Sequence, residues 1–466
     1  MEKIVRAADM RTCDAAAIAG GVSQEELIGR AASALAAGVS ALRGESGLPV
    51  VFFCGKGNNG GDGRAAAEIL RGQGADAIAI DAFSALPEFP KQYIAVDCVF
   101  GTGFHGRVPA ALAPVFGAMS RGERVLACDI PSGLDADTGI ADPLTVPAHA
   151  TVTFAAYKYG HFFGSGKDFC GKVSLADIGV PVRTDFSELV SGEAVGGIFP
   201  KRRNDCHKGS FEKVFLVGGS MEYQGSVAIT ALAEAALRSG CGYATVVCPK
   251  NLKSLSCLEN TFRFCGEDAL VFDEDTLSEA ARADVVVCGM GMGQGKECEK
   301  IVSYLIRRAK KLILDADALN LLARHPEWLA EKGGEVYLTP HPGEFARLCE
   351  KSVAEVLADP VGLADRYAAA HGVGVLLKGV SSYITDGKTR YVSASGCPAL
   401  AKAGSGDALS GFCAVPVARA GLFGLAAGSF LHGACAVLAQ DELTSHGVLA
   451  SDLPRYLPRV LAGLGV

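Results

Sequence analysis

The chain has 466 residues, of which 49% are hydrophobic and 20% are charged, and its formal net charge is −7. This length predicts two or three domains, and an acidic balance without a lysine-rich run argues against a nucleic-acid binder. The 16 cysteines are scattered and form no C-x-x-C pair. That usage is typical of buried thiols in a reducing compartment rather than of a disulfide scaffold or a zinc site.

Two segments bear on the cellular location. Residues 1–14 are charged throughout, so we expect no secretory signal peptide. Residues 420–440 lack formal charge and satisfy a length criterion for a membrane span, but their glycines and His432 favour a buried helix pair. We therefore expect a soluble, cytoplasmic protein that binds neither membranes nor nucleic acids.

The first half alternates strand-like and helix-like segments, which predicts a doubly wound α/β fold. Residues 50–54 form an apolar run typical of a buried strand, and residues 64–71 are predicted as a helix that ends at Gly72. A further helical stretch is predicted at residues 110–119. Strands are predicted at residues 77–80, 93–97, 125–129 and 151–154.

Between the first strand and its helix lies the sequence GKGNNGGDG, residues 55–63. Glycines let backbone N–H groups approach an anion, and a helix N-terminus adds positive potential, so this turn suits phosphates. Its G-x-G-x-x-G spacing, with Asp81 about 20 residues further on, is a weak dinucleotide signal by itself. Asn58, Asn59 and Asp62 add oxygen atoms that suit a hard cation beside a phosphate.

Polar residues also follow two later strands. Asp97 and Asp129 end strand-like runs, and Ser132 lies in the glycine-containing loop after Asp129. The carboxyl ends of parallel strands converge on one crevice, so we expect these side chains to meet Asn59 there. An acid in such a position is also a common helix cap. Three glycine-flanked polar loops favour a site over a set of caps.

The strand and helix pattern breaks around Pro181, and residues 183–204 are polar and irregular, so we predict a linker there. A second α/β set follows, with a long helix at residues 226–239 and a β-hairpin around Asp386 and Gly387. Three helical stretches close the chain. Strands are predicted at residues 214–217, 244–247, 284–288, 312–315 and 375–378.

The strongest motif of the second half is AGSGDALSG, residues 403–411. Small residues around Gly406 leave backbone N–H groups free at the start of an apolar helix, and Asp407 is placed to take a proton from a hydroxyl during phosphoryl transfer. A favourable helix dipole alone explains the acid but not the glycines.

Two other residues of the second half each allow two interpretations. His341 lies between two prolines and either stabilises its own loop or contacts a substrate. Lys378 either reaches phosphates or is an ordinary surface residue.

The motifs of the first half carry a resemblance. Residues 9–180 resemble the NAD(P)H-hydrate epimerase family through GNNGGDG, VDCVFGTG, DIPSGLDADTG and the later TVTF…K…GKVSLADIG. The family usually has a leucine-methionine-acid stretch where Leu27-Ile28-Gly29 stands here. The resemblance implies K⁺ held by Asn59, Asp97 and Ser132, with Asp129 as the acid/base at the ring carbon. It also implies that the substrate phosphates contact Asn58, Asn59, Gly60, Gly61, Asp62, Gly101, Thr102, Gly103, Phe104, His105, Gly106 and Arg107.

From His207 onward the chain resembles the ADP- or ATP-dependent NAD(P)H-hydrate dehydratase family, which has a ribokinase-like fold. The matching motifs are HKG, VFLVGGS, YQGS, LDADALNLL, LTPHPGEFARL, LLKG and AGSGDALSG. Ala403 stands where the family has a glycine. The resemblance implies that Asp407 is the catalytic base and that Ser226, Gly291 and His341 face the hydrate. It implies that ADP or ATP, with Mg²⁺, contacts Lys378, Gly379, Val380, Ser381, Ser382 and Gly406.

Together the two resemblances imply a bifunctional enzyme that repairs the hydrates NADHX and NADPHX. It would epimerise their R and S forms and dehydrate the S form through a phosphorylated intermediate. We expect an epimerase domain at residues 1–182 (a Rossmann-like three-layer αβα sandwich), a linker at residues 183–204 and a ribokinase-like αβα dehydratase domain at residues 205–466. We also expect a homo-oligomer.

Two other functions stay open at this point. The second half could be a small-molecule kinase of the ribokinase type, because the same base activates a hydroxyl there; the LTPHPGE loop favours the dehydratase. The first half could be a plain dinucleotide-binding or regulatory module. The Asn58-Asn59 pair and the loop with Asp129 and Ser132 favour the epimerase.

Overall fold

The computed structural model describes the chain except Phe89, Thr184 and residues 224–226 and 256–258; for residues 227–232 and 255 it describes the backbone alone. The chain divides into two compact units, residues 2–187 and residues 188–466. The division lies inside the stretch 183–204. The expectation that this stretch is irregular is wrong, because it contains a strand at Phe186–Leu189 and a helix at Gly192–Gly196.

The first unit contains a six-stranded parallel sheet with helices on both faces. The helices are α1 (Ala7–Ala19), α2 (Gln24–Arg43), α3 (Asn58–Gly72), α4 (Ala113–Met119) and α5 (Gly166–Phe169). The strands are β1 (Lys3–Val5), β2 (Val50–Cys54), β3 (Ala77–Asp81), β4 (Ile94–Cys98), β5 (Arg124–Cys128), β6 (Ala150–Phe154), β7 (Tyr157–Lys158) and β8 (Lys172–Ala176). The sheet order is β3-β2-β4-β5-β6-β8, and β1 pairs with β7 outside this six-stranded sheet.

Apolar residues on the two faces of this sheet form two core layers. One layer joins the sheet to α1, α2 and α3, and the other joins it to α4. Strand β2 is buried along its whole length, as an apolar run without alternation predicts for the centre of a parallel sheet. The predicted doubly wound αβα sandwich is therefore confirmed.

Helix α3 begins earlier than predicted. The glycine-rich sequence was expected to be a turn up to Gly63, but the helix already begins at Asn58. Close packing explains the difference. A Cβ atom on Gly60 would lie 2.0 Å from the carbonyl oxygen of Gly55, and one on Gly63 would lie 2.6 Å from the sulfur of Cys98. These glycines let the first helical turns approach the sheet, which outweighs their low helix propensity.

The second unit has one large, mostly parallel sheet. Its helices are α6 (Gly192–Gly196), α7 (Val227–Arg238), α8 (Glu274–Ala281), α9 (Lys296–Arg308), α10 (Asp317–Arg324), α11 (Pro342–Leu348), α12 (Val353–Ala358), α13 (Pro360–His371), α14 (Ser405–Gly447) and α15 (Leu453–Gly463). Its strands begin with β9 (Phe186–Leu189), whose first two residues precede the division. The others are β10 (Lys213–Val217), β11 (Tyr243–Cys248), β12 (Thr261–Phe264), β13 (Val285–Cys288), β14 (Lys311–Leu314), β15 (Glu335–Leu338), β16 (Gly374–Leu377), β17 (Ser382–Thr385) and β18 (Arg390–Ser393).

The order of these strands is β12-β11-β10-β13-β14-β15-β16-β17-β18-β9. Strand β17 runs antiparallel to its two neighbours, β16 and β18, and the remaining pairs are parallel. The predicted hairpin is confirmed, since β17 and β18 pair up to Thr385 and Arg390 on either side of Asp386 and Gly387. Strand β9, in the predicted linker, extends the sheet by pairing with β18.

Helix α14 is a helical hairpin. Gly421 has a left-handed φ of 55°, which breaks the helix into two arms. The arms pack tightly, because a Cβ atom on Gly424 would lie 2.0 Å from the Pro416 carbonyl oxygen and one on Gly428 would lie 2.5 Å from the Cα atom of Cys413. Among the described helices, α14 alone is long and apolar enough to cross a membrane, but 67% of its most apolar window is buried within the structure. The predicted buried helix pair is confirmed.

Candidate functional site

Asp129 follows directly after strand β5 in an unusual backbone conformation. Its φ is +64°, a region that non-glycine residues rarely occupy and that clusters at functional sites. Its amide donates a hydrogen bond to the carbonyl oxygen of Val152 at 2.8 Å, which ties this turn to the neighbouring strand. The turn therefore holds the Asp129 carboxyl in one place at the end of the sheet.

The Asp129 carboxylate is bound by a buried lysine. Its Oδ1 atom accepts hydrogen bonds from Lys158 Nζ at 2.5 Å and from Thr153 Oγ1 at 2.8 Å. Burial alone would raise the pKa of Asp129, but the charge of Lys158 and these hydrogen bonds hold the pKa below its usual value. Asp129 is thus an ionised carboxylate available as a base.

A buried histidine completes this group. His161 Nε2 donates to the Asp129 carbonyl oxygen at 2.9 Å, and its Nδ1 accepts from the Lys158 amide at 3.1 Å. Burial, with the charge of Lys158, lowers the pKa of His161 to about 4, so the ring is neutral. Sequence reasoning assigned no role to Lys158 or His161. The only signal was the lysine inside the quoted TVTF…K motif.

A cavity of about 770 Å³ lies against these residues. Asp129 and Lys158 line it, together with the N-terminus of α3 and the loop after β4. The structure thus brings together most of the predicted substrate-binding residues of the first unit. Those that line the cavity are Asn58, Asn59, Asp62, Gly101, Thr102, Gly103, Phe104, His105 and Arg107. Gly60, Gly61 and Gly106 are not part of its lining.

The three predicted K⁺ ligands meet around the backbone of Phe100. Asn59 Nδ2 donates to the Phe100 carbonyl oxygen at 2.7 Å, and the Phe100 amide donates to Ser132 Oγ at 2.7 Å. Asp97 Oδ1 and Oδ2 accept from the Ser132 hydroxyl at 2.5 Å and from its amide at 2.7 Å. Burial raises the pKa of Asp97 to about 6. The described residues contain no group of three or more His, Cys, Asp and Glu side chains placed for a metal. A cation here would therefore depend on amide, hydroxyl and carbonyl oxygens with one carboxylate.

In the second unit the N-terminus of α14 carries Asp407. Gly404 has φ +83° and precedes the first helical residue, Ser405. This conformation suits glycine and leaves the first amides of the helix without intrahelical partners. Burial, followed by the charge of Asp315, raises the pKa of Asp407 to about 6. Asp407 is therefore ionised at neutral pH.

A buried ion pair lies beside this helix start. Lys378 Nζ donates to Asp315 Oδ1 at 2.8 Å, and Ser410 Oγ donates to Asp315 Oδ2 at 2.8 Å. Burial acts to lower the pKa of Lys378, but Asp315 and Glu344 outweigh it and the pKa is raised. A Cβ atom on Gly406 would lie 3.2 Å from Lys378 Nζ. Lys378 is therefore not an ordinary surface residue, since its charged amine lies beside the predicted anion hole.

His341 is the N-cap of α11. Its Nδ1 accepts from the amides of Gly343 at 3.0 Å and Glu344 at 3.3 Å, while Glu344 Oε2 accepts from the His341 amide at 2.8 Å. Burial, then the charge of Lys378, lowers the pKa of His341, and burial raises the pKa of Glu344 to about 7. The histidine thus has a structural role in its loop, and its Nε2 atom lies 3.5 Å from Glu344 Oε1.

The glycine loop after β13 faces the start of α10. Gly289, Gly291 and Gly293 all have positive φ, and Asp317 Oδ2 accepts from the Gly293 amide at 2.9 Å. Ser220 Oγ donates to the Gly291 carbonyl oxygen at 2.9 Å. The predicted nucleotide stretch from Lys378 to Ser382 connects β16 to β17. Ser226, another predicted contact, lies outside the described residues.

Comparisons with known proteins match both halves of the chain. A family model described as NAD(P)H-hydrate dehydratase matches residues 214–459, and one described as YjeF-related protein N-terminus matches residues 24–93 and 81–160. The bifunctional NAD(P)H-hydrate repair enzyme Nnr of Coxiella burnetii is 35% identical over 97% of this chain and 98% of its own length. The enzyme of the same name from Moorella thermoacetica is 33% identical over 89% of this chain and 88% of its own length.

Solved structures match the second unit. The ADP/ATP-dependent NAD(P)H-hydrate dehydratase of Bacillus subtilis, co-crystallised with ATP and Mg²⁺, is 27% identical with a TM-score of 0.51, over 60% of this chain and 99% of that one. A ribokinase-like superfamily protein of Enterococcus faecalis is 24% identical with a TM-score of 0.50, over 60% of this chain and 96% of that one, and it shows the fold alone.

Fold and sites together define a two-unit α/β enzyme whose second unit has the ribokinase-like fold. Motif, family model and near full-length similarity then agree on its identity. The chain belongs to the family of bifunctional NAD(P)H-hydrate repair enzymes, with an epimerase half and an ADP/ATP-dependent dehydratase half.

Proposed function

We propose that the cavity of the first unit epimerises NADHX and NADPHX with Asp129 as the base. The observation that carries this proposal is the ionised, lysine-bound Asp129 in the cavity wall. The N-terminus of α3 and residues 101–107 take the phosphates, because helix-start amides and Arg107 favour anions. The ring carbon then lies at Asp129, where a carboxylate can move a proton.

We also propose a K⁺ ion at Asn59, Asp97 and Ser132. These residues fit it, since Asn59 and Ser132 both bond the Phe100 backbone, Asp97 bonds Ser132, and the group offers amide, hydroxyl and carboxylate oxygens. A bound K⁺ would supply positive charge to the phosphate-binding side of the cavity. The residues themselves hold the turn after β4, which forms part of the cavity wall.

For the second unit we propose that Asp407 takes the proton of the hydrate hydroxyl as phosphate is transferred to it. Lys378 and the amides at Gly404 to Gly406 would hold the transferring phosphate. Mg²⁺ would accompany ADP or ATP, as ATP and Mg²⁺ accompany the Bacillus subtilis dehydratase. Phosphate then leaves with the electron pair of the C–O bond, the neighbouring ring carbon loses a proton, and the double bond of the reduced nicotinamide is restored.

Incubation of mixed hydrate epimers with Mg²⁺ and either ADP or ATP tests both proposals. We expect near-ultraviolet absorbance of reduced cofactor to return until both epimers are consumed. A stable phosphate ester instead would indicate a ribokinase-type kinase.

Asp407→Asn should abolish dehydration and keep nucleotide binding, because the amide keeps the shape of the side chain but takes no proton. Near-normal turnover in this variant would exclude Asp407 as the base.

The cation is tested by following interconversion of the epimers without nucleotide and, separately, dehydration of the S epimer with nucleotide, each in both salts. Replacing K⁺ with a bulky organic cation should slow epimerisation and leave dehydration of the S epimer unchanged, because the proposed ligands all belong to the first unit. Equal epimerisation rates in both salts would rule out the K⁺ site.

A further inference from the structure

Asp62 is a second buried carboxyl in the wall of the epimerase cavity. It lies in α3 one turn after Asn58, is 8% exposed and lines the cavity. Within the part of the chain that the structure describes, its carboxyl has no hydrogen bond or ion pair, and only burial and nearby charges act on it. Buried polar groups normally have partners, so a carboxyl that lacks one and faces a cavity is placed to bind what the cavity holds.

The charges around Asp62 favour its neutral form. Asp129 and Asp14 of α1 line the same cavity. Burial, then the charges of Asp129 and Asp14, raises the pKa of Asp62 to about 8. Lys158 lies on Asp129 rather than on Asp62. At neutral pH Asp62 therefore carries a proton while Asp129 does not. The other basic side chains in the cavity wall are Arg11, Lys56, His105 and Arg107.

We propose that Asp62 is the proton donor that acts together with Asp129 on the hydrated ring. This inference rests on the epimerase activity of the first unit and gives Asp62 a role different from phosphate binding. Two carboxyls held in opposite protonation states in one cavity are the arrangement that acid–base catalysis requires.

The ring chemistry needs both groups. Hydration of the ring double bond that is not conjugated to the carboxamide places the hydroxyl on the carbon bonded to nitrogen. Asp129 takes the hydroxyl proton and the C–O bond becomes a carbonyl. The C–N bond breaks with its electron pair going to nitrogen, which takes the proton of Asp62. The oxygen and nitrogen are bonded to the same carbon, so two neighbouring carboxyls can serve both.

Reclosure completes the epimerisation. The freed aldehyde rotates and presents its other face to the nitrogen. The nitrogen attacks the carbonyl carbon and returns its proton to Asp62, and the new alkoxide takes the proton from Asp129. Both carboxyls end in their starting states, and no atom or electron is gained or lost.

The test measures epimerisation of a single purified epimer without nucleotide, by chromatographic separation, as a function of pH. We expect wild-type kcat/KM to fall above about pH 8, where Asp62 loses its proton. Asp62→Asn should lower kcat by about 100-fold, change KM little and lack this alkaline fall. The proposal is overturned if Asp62→Asn keeps the wild-type kcat, with or without a raised KM. It is also overturned if this variant keeps the alkaline fall.

Asp14→Asn is the matched variant. It removes one charge that raises the pKa of Asp62, so the alkaline fall should move to lower pH. An alkaline fall that stays at the wild-type pH would overturn the proposal. This variant keeps the test decisive even if Asp62→Asn does not fold. Dehydration of the S epimer reports folding of the other unit in each variant. Asp129→Asn separates the two claims: if it abolishes epimerisation and Asp62→Asn does not, only this inference fails.

Discussion

Two carboxylates carry the proposed chemistry, and their surroundings act on them in opposite ways. Lys158 keeps the pKa of Asp129 low despite burial, whereas burial and Asp315 raise the pKa of Asp407 to about 6. Both are ionised at neutral pH, but Asp407 holds a proton more readily. A base whose pKa lies near the working pH accepts and releases protons efficiently.

Lys158→Met should raise the pKa of Asp129, because burial then acts without the compensating charge. We expect epimerisation at neutral pH to fall at least about tenfold, with the acid limb of the pH profile moved to higher pH. Thr153→Val is the milder control, since it removes one neutral hydrogen bond to the same oxygen. A profile of Lys158→Met that overlies wild type would contradict this account of Asp129.

Dehydration should fall below about pH 6, because Asp407 must be ionised to act as a base. Asp315→Asn removes the charge that raises this pKa, so the acid limb should move to lower pH. Ser410→Ala removes the other contact of Asp315 without changing its charge, and its limb should stay in place. The measurement is kcat/KM for the S epimer against pH in the three proteins, and identical limbs would contradict the prediction.

The sequence predicts Asp129 in a glycine-flanked loop after a strand and Asp407 at a glycine-flanked helix start. It does not predict the side chains that surround these two acids. Lys158 lies 29 positions from its partner Asp129. Asp315 lies 63 positions from its partner Lys378 and 95 positions from Ser410, so no local pattern connects these residues. The protonation states, which separate Asp62 from Asp129, depend on burial and neighbouring charges that only the folded chain defines.

At the scale of elements, the long apolar runs were predicted within a residue or two, and the shorter mixed strands were not. Strands β12 and β15 have four residues each and include polar side chains, so they give weak periodicity. The start of α3 was missed because its glycines were interpreted by local propensity. Their close approach to Gly55 and Cys98 is a tertiary contact, and it decides the conformation.

Gly63→Ala should destabilise the first unit by about 1–3 kcal/mol, because the added methyl group would overlap the sulfur of Cys98. Gly72→Ala, at the other end of α3, meets no atom within 4 Å and should be neutral or stabilising by up to about 1 kcal/mol. The single tryptophan, Trp328, lies in the second unit. In Gly63→Ala, the denaturation midpoint followed by Trp328 fluorescence should stay fixed, while the midpoint followed by circular dichroism should fall. Equal circular-dichroism midpoints in Gly63→Ala and Gly72→Ala would contradict the packing argument.

At the scale of the whole molecule, each unit has its own sheet, its own apolar core and its own candidate site. The cavity of the first unit is lined by residues of that unit alone. Nothing in the chemistry proposed for one site requires a residue of the other.

Asp129→Ala should therefore remove epimerisation only. With mixed epimers and nucleotide, we expect one epimer to be converted completely and the other to disappear only as fast as it epimerises without catalysis. Wild type should consume both at enzymatic rates. Fast loss of both epimers in the variant would refute the role of Asp129, while loss of neither in a protein with normal circular dichroism would show that the units are coupled.

The hairpin within α14 has a consequence for the order of folding. Its two arms are neighbours in sequence, whereas the strands that precede Asp315 and Lys378 form parallel pairs over longer separations. Contacts of low sequence separation form fastest. We expect the arms to associate early through Gly424 and Gly428, which shields the most apolar stretch of the chain while the slower sheet assembles and limits the time available for aggregation.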